Sequence, residues 1–148
     1  MLSETINEQM KAAMKSGDKQ RLETLRSIRA LILEFEKSGV GRAMTPDDEQ
    51  NLLISAAKKR RDSIEQFRAA KREDLATKEE AELAIIQEFL PKQLSENEVE
   101  AVVKGIIEQV GAKTPQEVGK VMGAAMKELR GKADGNLVQA VAKRLLGA

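Results

Sequence analysis

Between residues 99 and 110 the apolar side chains are Val99, Val102, Val103, Ile106, Ile107 and Val110, spaced alternately three and one apart. At about 100° per residue, that spacing gathers all six on one face of an α-helix; a strand would split them between its two faces. The other long segments keep the same period. Ile6, Met10 and Met14 stand four apart, and Leu22, Leu25, Ile28, Ile32 and Phe35 follow at intervals of three and four. Sustained apolar–polar alternation is missing, so the expected fold class is all-α and multihelical.

Turn and cap residues cut this pattern into seven helices. The first covers residues 3–16 and stops at Gly17. The second covers residues 18–37 and stops at Ser38-Gly39. Thr45-Pro46-Asp47-Asp48 opens the third, with Thr45 as N-cap, Pro46 in the first position and acids against the helix dipole. It runs to about residue 70. Thr77 with Glu80 predicts a capping box for the fourth, which buries Ala81 or Leu83, Ile86, Phe89 and Leu90 and ends at Pro91. Ser95-Glu96-Asn97-Glu98 opens the fifth, which Gly111 closes. Thr114-Pro115-Gln116-Glu117 opens the sixth, with Val118, Val121, Met122, Ala125, Met126 and Leu129 on its apolar side, and Gly131 closes it. Asp134 caps the seventh, which carries Leu137, Val138, Val141 and Leu145. Pro91 is the expected boundary between a bundle-like N-terminal subdomain, residues 1–91, and a three-helix tail, residues 94–148.

The composition excludes several kinds of chemistry. Histidine, cysteine, tryptophan and tyrosine are absent, and Phe35, Phe67 and Phe89 are the only aromatics. There is accordingly no disulfide, thiolate nucleophile, cysteine-bound metal, imidazole base or aromatic platform for stacking bases. The acidic runs Asp47-Asp48-Glu49 and Glu79-Glu80-Glu82 fall in expected first helical turns, where the dipole accounts for them. No catalytic residue, cofactor or metal site is assigned. No apolar run approaches the roughly 18 residues of a membrane span, and the chain begins without a basic, then apolar, signal segment. A cytoplasmic protein without a membrane partner is expected.

Two basic features remain. Residues 58–72 hold seven basic and two acidic residues, although the whole chain is near neutral at +1. On a helix Arg61, Arg68 and Arg72 fall close together in angle. One reading is a ridge that tracks phosphates; the other is a solvated face crossed by Lys58–Asp62 and Arg61–Glu65 pairs. Arg60 falls inside the apolar stripe, so it either snorkels or pairs with an acid across a helix interface. The second feature runs from Gly119-Lys120-Val121-Met122-Gly123 to Gly131-Lys132-Ala133-Asp134-Gly135. It lacks the spacing of a P-loop. Either Gly123 allows close helix approach while Gly131 and Asp134 cap helices, or Lys127, Arg130 and Lys132 surround an anion site near a helix N-terminus.

Taken in order, these motifs resemble the YqeY family of small bacterial proteins over the whole chain. The matching stretches are Leu22-x-x-Leu25-Arg26, Lys59-Arg60-Arg61-Asp62-Ser63-Ile64-x-x-Phe67 and Arg72-Glu73-Asp74-Leu75 with Glu79 and Glu82. Leu90-Pro91-x-Gln93-Leu94 and the two glycine-bracketed segments complete the set. The C-terminal part is similar to the tail domain of the B subunit of the glutamine-dependent aminoacyl-tRNA amidotransferase. The tail signature aligns with Gly123, Met126, Lys127, Gly131, Lys132, Ala133 and Asp134, and Gly135 stands where that tail commonly has proline. The resemblance implies a non-catalytic accessory protein that binds structured RNA such as tRNA. Arg61, Arg68 and Arg72 would form one contact face, and Lys127, Arg130 and Lys132 a second. It implies, as alternatives, docking on an amidotransferase or another translation component, or carbon–nitrogen ligase activity with glutamine as amide donor.

Overall fold

The computed structural model describes residues 1–147, which form seven α-helices and no strand. They are α1 (Leu2–Ser16), α2 (Lys19–Lys37), α3 (Pro46–Ala69), α4 (Glu73–Gln87), α5 (Glu96–Val110), α6 (Val118–Leu129) and α7 (Gly135–Leu145). A single 3-10 turn, Pro115–Glu117, leads into α6.

Local chemistry sets most of these limits. Gly17 ends α1 at φ 73°, in the left-handed region that favours glycine. Asp18 then caps α2 by accepting from the Arg21 amide at 3.0 Å. Thr45 and Asp48 form a reciprocal capping box: the Asp48 amide donates to Thr45 Oγ1 at 3.2 Å, and the Thr45 amide donates to Asp48 Oδ2 at 2.8 Å. Arg42 also donates to Asp48, and with the Thr45 bonds this holds the Asp48 carboxyl well below the usual carboxylate range. Ser95 and Glu98 repeat the box at α5.

Three local expectations need correction. The fourth helix starts at Glu73 with Arg72 as N-cap, so Thr77 lies inside it and makes no cap. Lys71 adopts φ 57°, and the Arg72 amide donates back to the Phe67 carbonyl at 2.8 Å. This left-handed turn joins α3 to α4 directly, and no glycine marks it in the sequence. Glu79, Glu80 and Glu82 are therefore mid-helix rather than in a first turn. Met14 lies 54% exposed, because α1 buries Leu2, Ile6, Met10 and Ala13 and the stripe drifts off the core by its last turn. Gly123 permits no close approach, since a Cβ there would meet nothing within 4 Å.

The chain divides into two compact units, residues 1–90 and 91–148. In the first, Ile6, Leu25, Ile28, Leu53, Ala57 and Ile86 anchor one core, and α3 packs most extensively on α4. In the second, Val99, Val103, Val121, Leu129, Val138 and Val141 form another from α5, α6 and α7. Each core is built wholly from its own unit. At about 25 cal/mol per Å² of apolar surface removed from water, such a cluster is the main stabilising term in each.

Candidate functional site

The tail unit builds its candidate site around one turn. Helix α6 ends at Leu129, and Arg130 follows in an extended conformation at φ −58°, ψ 126°. Gly131 comes next at φ 78°, and the Lys132 amide donates to the Leu129 carbonyl at 2.8 Å. These angles describe a type II turn, whose third position requires positive φ and therefore glycine. Gln93 Nε2 donates to the Gly131 carbonyl at 2.6 Å and to the Pro91 carbonyl at 2.9 Å, while the Leu94 amide donates to the Lys132 carbonyl at 2.8 Å. Asp134 caps α7 by accepting from the Asn136 amide. The 91–94 stretch and the 131–135 stretch, 38 residues apart at the Gln93–Gly131 bond, thus form one clamp.

Three cations sit on or beside this turn. Lys127, Arg130 and Lys132 are all exposed. Neither Lys127 nor Lys132 has an ion-pair or hydrogen-bond partner for its ammonium among the described residues. By contrast Lys120 donates to the Val110 carbonyl at 3.0 Å and closes the end of α5.

The N-terminal cations are differently placed. Because α3 ends at Ala69, Arg72 is not on its surface, and the three-arginine ridge does not lie on one helix. Arg72 makes a two-pronged contact with Asp74, both bonds at 3.2 Å, which lowers the Asp74 carboxyl from its ordinary value. Arg68 pairs with Glu80 and with Glu73. Arg61 is half-buried and has no ion pair with Glu65. Lys58 pairs with Asp62 at 3.2 Å.

Arg60 takes the second of its two anticipated roles. Its Nε lies 2.9 Å from Glu82 Oε2 and 3.4 Å from Glu79 Oε2, joining α3 to α4, and its Nη2 donates to Ser27 Oγ on α2 at 3.4 Å. The Nε–H is not aimed at either oxygen, so Nε and Glu79 Oε2 lack an aligned hydrogen bond and the contact is mainly one of charge. Burial, and then the neighbouring Glu82 charge, push the Glu79 carboxyl above its ordinary value. No group of histidine, cysteine or acidic residues is disposed to hold a metal ion among the described residues. No described helix is long and apolar enough to cross a membrane.

Comparison with known proteins bears on the chain as a whole. The family model described as Yqey-like protein matches residues 3–146. A relative named Altered inheritance of mitochondria protein 41, mitochondrial, from Pyrenophora tritici-repentis, is 34% identical over 143 residues, covering 94% of this chain and 77% of the relative. The protein of the same name from Saccharomyces cerevisiae is 26% identical over 127 residues, covering 84% of this chain and 66% of its own length. The E subunit of the glutamyl-tRNA(Gln) amidotransferase of Thermococcus gammatolerans is 42% identical over 55 residues, 34% of this chain and 9% of that protein. This short match supports the likeness to an amidotransferase tail. By the near-complete family match, the chain belongs to the YqeY, or Yqey-like, family.

Proposed function

We propose that the protein is a non-catalytic accessory factor that binds structured RNA, tRNA in the first instance, through the cations of its tail unit. One observation carries this reading: the 129–135 turn is fixed by the type II geometry, by Gln93 and Leu94 and by the Asp134 cap, and Lys132 on it and Lys127 at the end of α6 beside it are exposed without partners among the described residues. The fixed backbone sets where the lysine stems begin, so only their side-chain freedom is lost when a phosphate arrives. With no aromatic platform, recognition falls to backbone shape and charge. Arg130 belongs to the same face. Arg61 is an auxiliary contact, whereas Arg68 and Arg72 must first leave Glu80, Glu73 and Asp74.

The test is binding of total tRNA to the purified protein, titrated across salt against duplex DNA of similar length. Replacing Lys127, Arg130 and Lys132 together by Ala should flatten the salt slope by about two to three units, roughly one per phosphate contact. An unchanged slope in a folded variant removes these residues from the site. Absence of tRNA binding at low salt rejects the reading.

The alternative, docking on an amidotransferase or another translation component, is favoured by the match to the amidotransferase's E subunit from Thermococcus gammatolerans. Co-purification with such an enzyme in the absence of RNA would select it. The proposed setting is the cytoplasm, or the mitochondrial interior by analogy with the names of the fungal relatives. Carbon–nitrogen ligase activity with glutamine stays a reading by resemblance, and a glutaminase assay on the pure protein decides it.

A further inference from the structure

The N-terminal unit has a cationic concavity between α1 and α2, apart from the arginines of α3. Asn7, Met10, Lys11 and Met14 of α1 and Arg29 of α2 line a groove of about 300 Å³. We propose that this groove is a phosphate-binding site, with Lys11 and Arg29 as its two walls; resting on the RNA reading above, its occupant in the cell is the RNA backbone.

Several observations support this. Lys11 and Arg29 come from different helices and line the same concavity, which convergent anion contacts require. Most arginines of the chain are engaged: Arg21 by Glu88, Arg42 by Asp48, Arg60 by Glu79 and Glu82, Arg68 by Glu80, Arg72 by Asp74 and Arg144 by Glu100. Arg29 and Lys11 are exposed and carry no such partner among the described residues. Arg26 stands three residues before Arg29, so the two arginines neighbour one another on the exposed side of α2, and Arg26 likewise has no ion-pair partner among the described residues. The acid nearest in sequence to the groove lining is Glu8, beside Asn7. Glu4, one turn before it, pairs with the terminal ammonium at 3.8 Å. Met10 and Met14 give the groove an apolar floor along which the Lys11 and Arg29 stems can lie. Asn7 adds an amide donor for a phosphate oxygen.

Two measurements on the full chain separate this inference from the RNA reading. First, methionine-methyl NMR follows Met10 and Met14 as sodium tripolyphosphate is added; six methionines give a spectrum simple enough to assign with Met14→Leu. Shifts at these two methyls that vanish in a Lys11→Ala/Arg29→Ala variant are the expected result. No shift at millimolar polyphosphate, or equal shifts in the variant, overturns the groove. Second, the same variant is titrated with tRNA beside a Lys19→Ala/Lys78→Ala variant that loses equal charge elsewhere. The groove variant should flatten the salt slope by about two units more than the control. If wild type binds tRNA and the two variants behave alike, the groove is not an RNA contact and the tail reading stands. If polyphosphate shifts the methyls but wild type binds no tRNA, the RNA reading fails and the phosphate site survives.

Discussion

A single guanidinium shared by two carboxylates makes the α3–α4 contact sensitive to pH. Glu79 is held above its ordinary value by burial and by Glu82. The folded chain therefore keeps a proton that the unfolded chain has released, over the interval between those two values. The sign follows: this contribution is fully present below the ordinary glutamate value and is lost as pH rises through the raised one. Arg60→Ala leaves Glu79 and Glu82 facing each other without their cation, and should cost about 2–3 kcal/mol near neutral pH. Denaturant titration should find a smaller cost as pH falls into the range where the raised Glu79 carboxyl takes up its proton. Glu79→Gln keeps the Arg60–Glu82 pair and should be neutral or stabilising at neutral pH. An Arg60→Ala cost that does not vary with pH would show that packing of the guanidinium stem dominates. Arg60 is legible in the sequence as a charge within an apolar stripe. Its partners are not, because they sit on a helix whose start the sequence hides. The same hidden start makes Arg72 look like a companion of Arg61 and Arg68.

At the scale of elements, the helices that the sequence marks with reciprocal caps begin where expected: α3 at Thr45-Pro46 and α5 at Ser95. The α3–α4 junction is the exception. Its reversal depends on the backbone of Lys71, a residue with no intrinsic preference for positive φ, so Thr77 and Glu80 offer a false start. Lys71→Gly should remove that strain and stabilise the N-terminal unit by up to about 1 kcal/mol, read as a shift in the urea midpoint at unchanged slope. A destabilised variant would mean that the lysine stem makes compensating contacts. The apolar period likewise reports which side of α1 is buried but not how far along it burial extends, since only packing sets the point at which Met14 leaves the core.

For the whole molecule, two cores with no shared residue imply two stabilities. Leu129→Ala, at a side chain 1% exposed in the tail core, should cost about 2–5 kcal/mol and lower the tail's transition. Amide exchange should accelerate through α5, α6 and α7 and stay slow in α2 and α3; acceleration in both units would show that they unfold as one. In the sequence, Gly131 and the capping residue Asp134 mark the 131–135 turn. The clamp between that turn and Gln93 leaves no such signal: Leu90-Pro91-x-Gln93-Leu94 stands out as a motif, but nothing in it names Gly131 as the partner. Its consequence bears on how the tail can be passed between proteins. The smallest portable segment does not begin at the first helix: a gene fusion or protease cut placed at Ser95 would leave the Gly131 and Lys132 carbonyls without Gln93 and Leu94. A transplantable tail has to carry its approach segment from Pro91 onward, and the cations of the turn travel intact only with it.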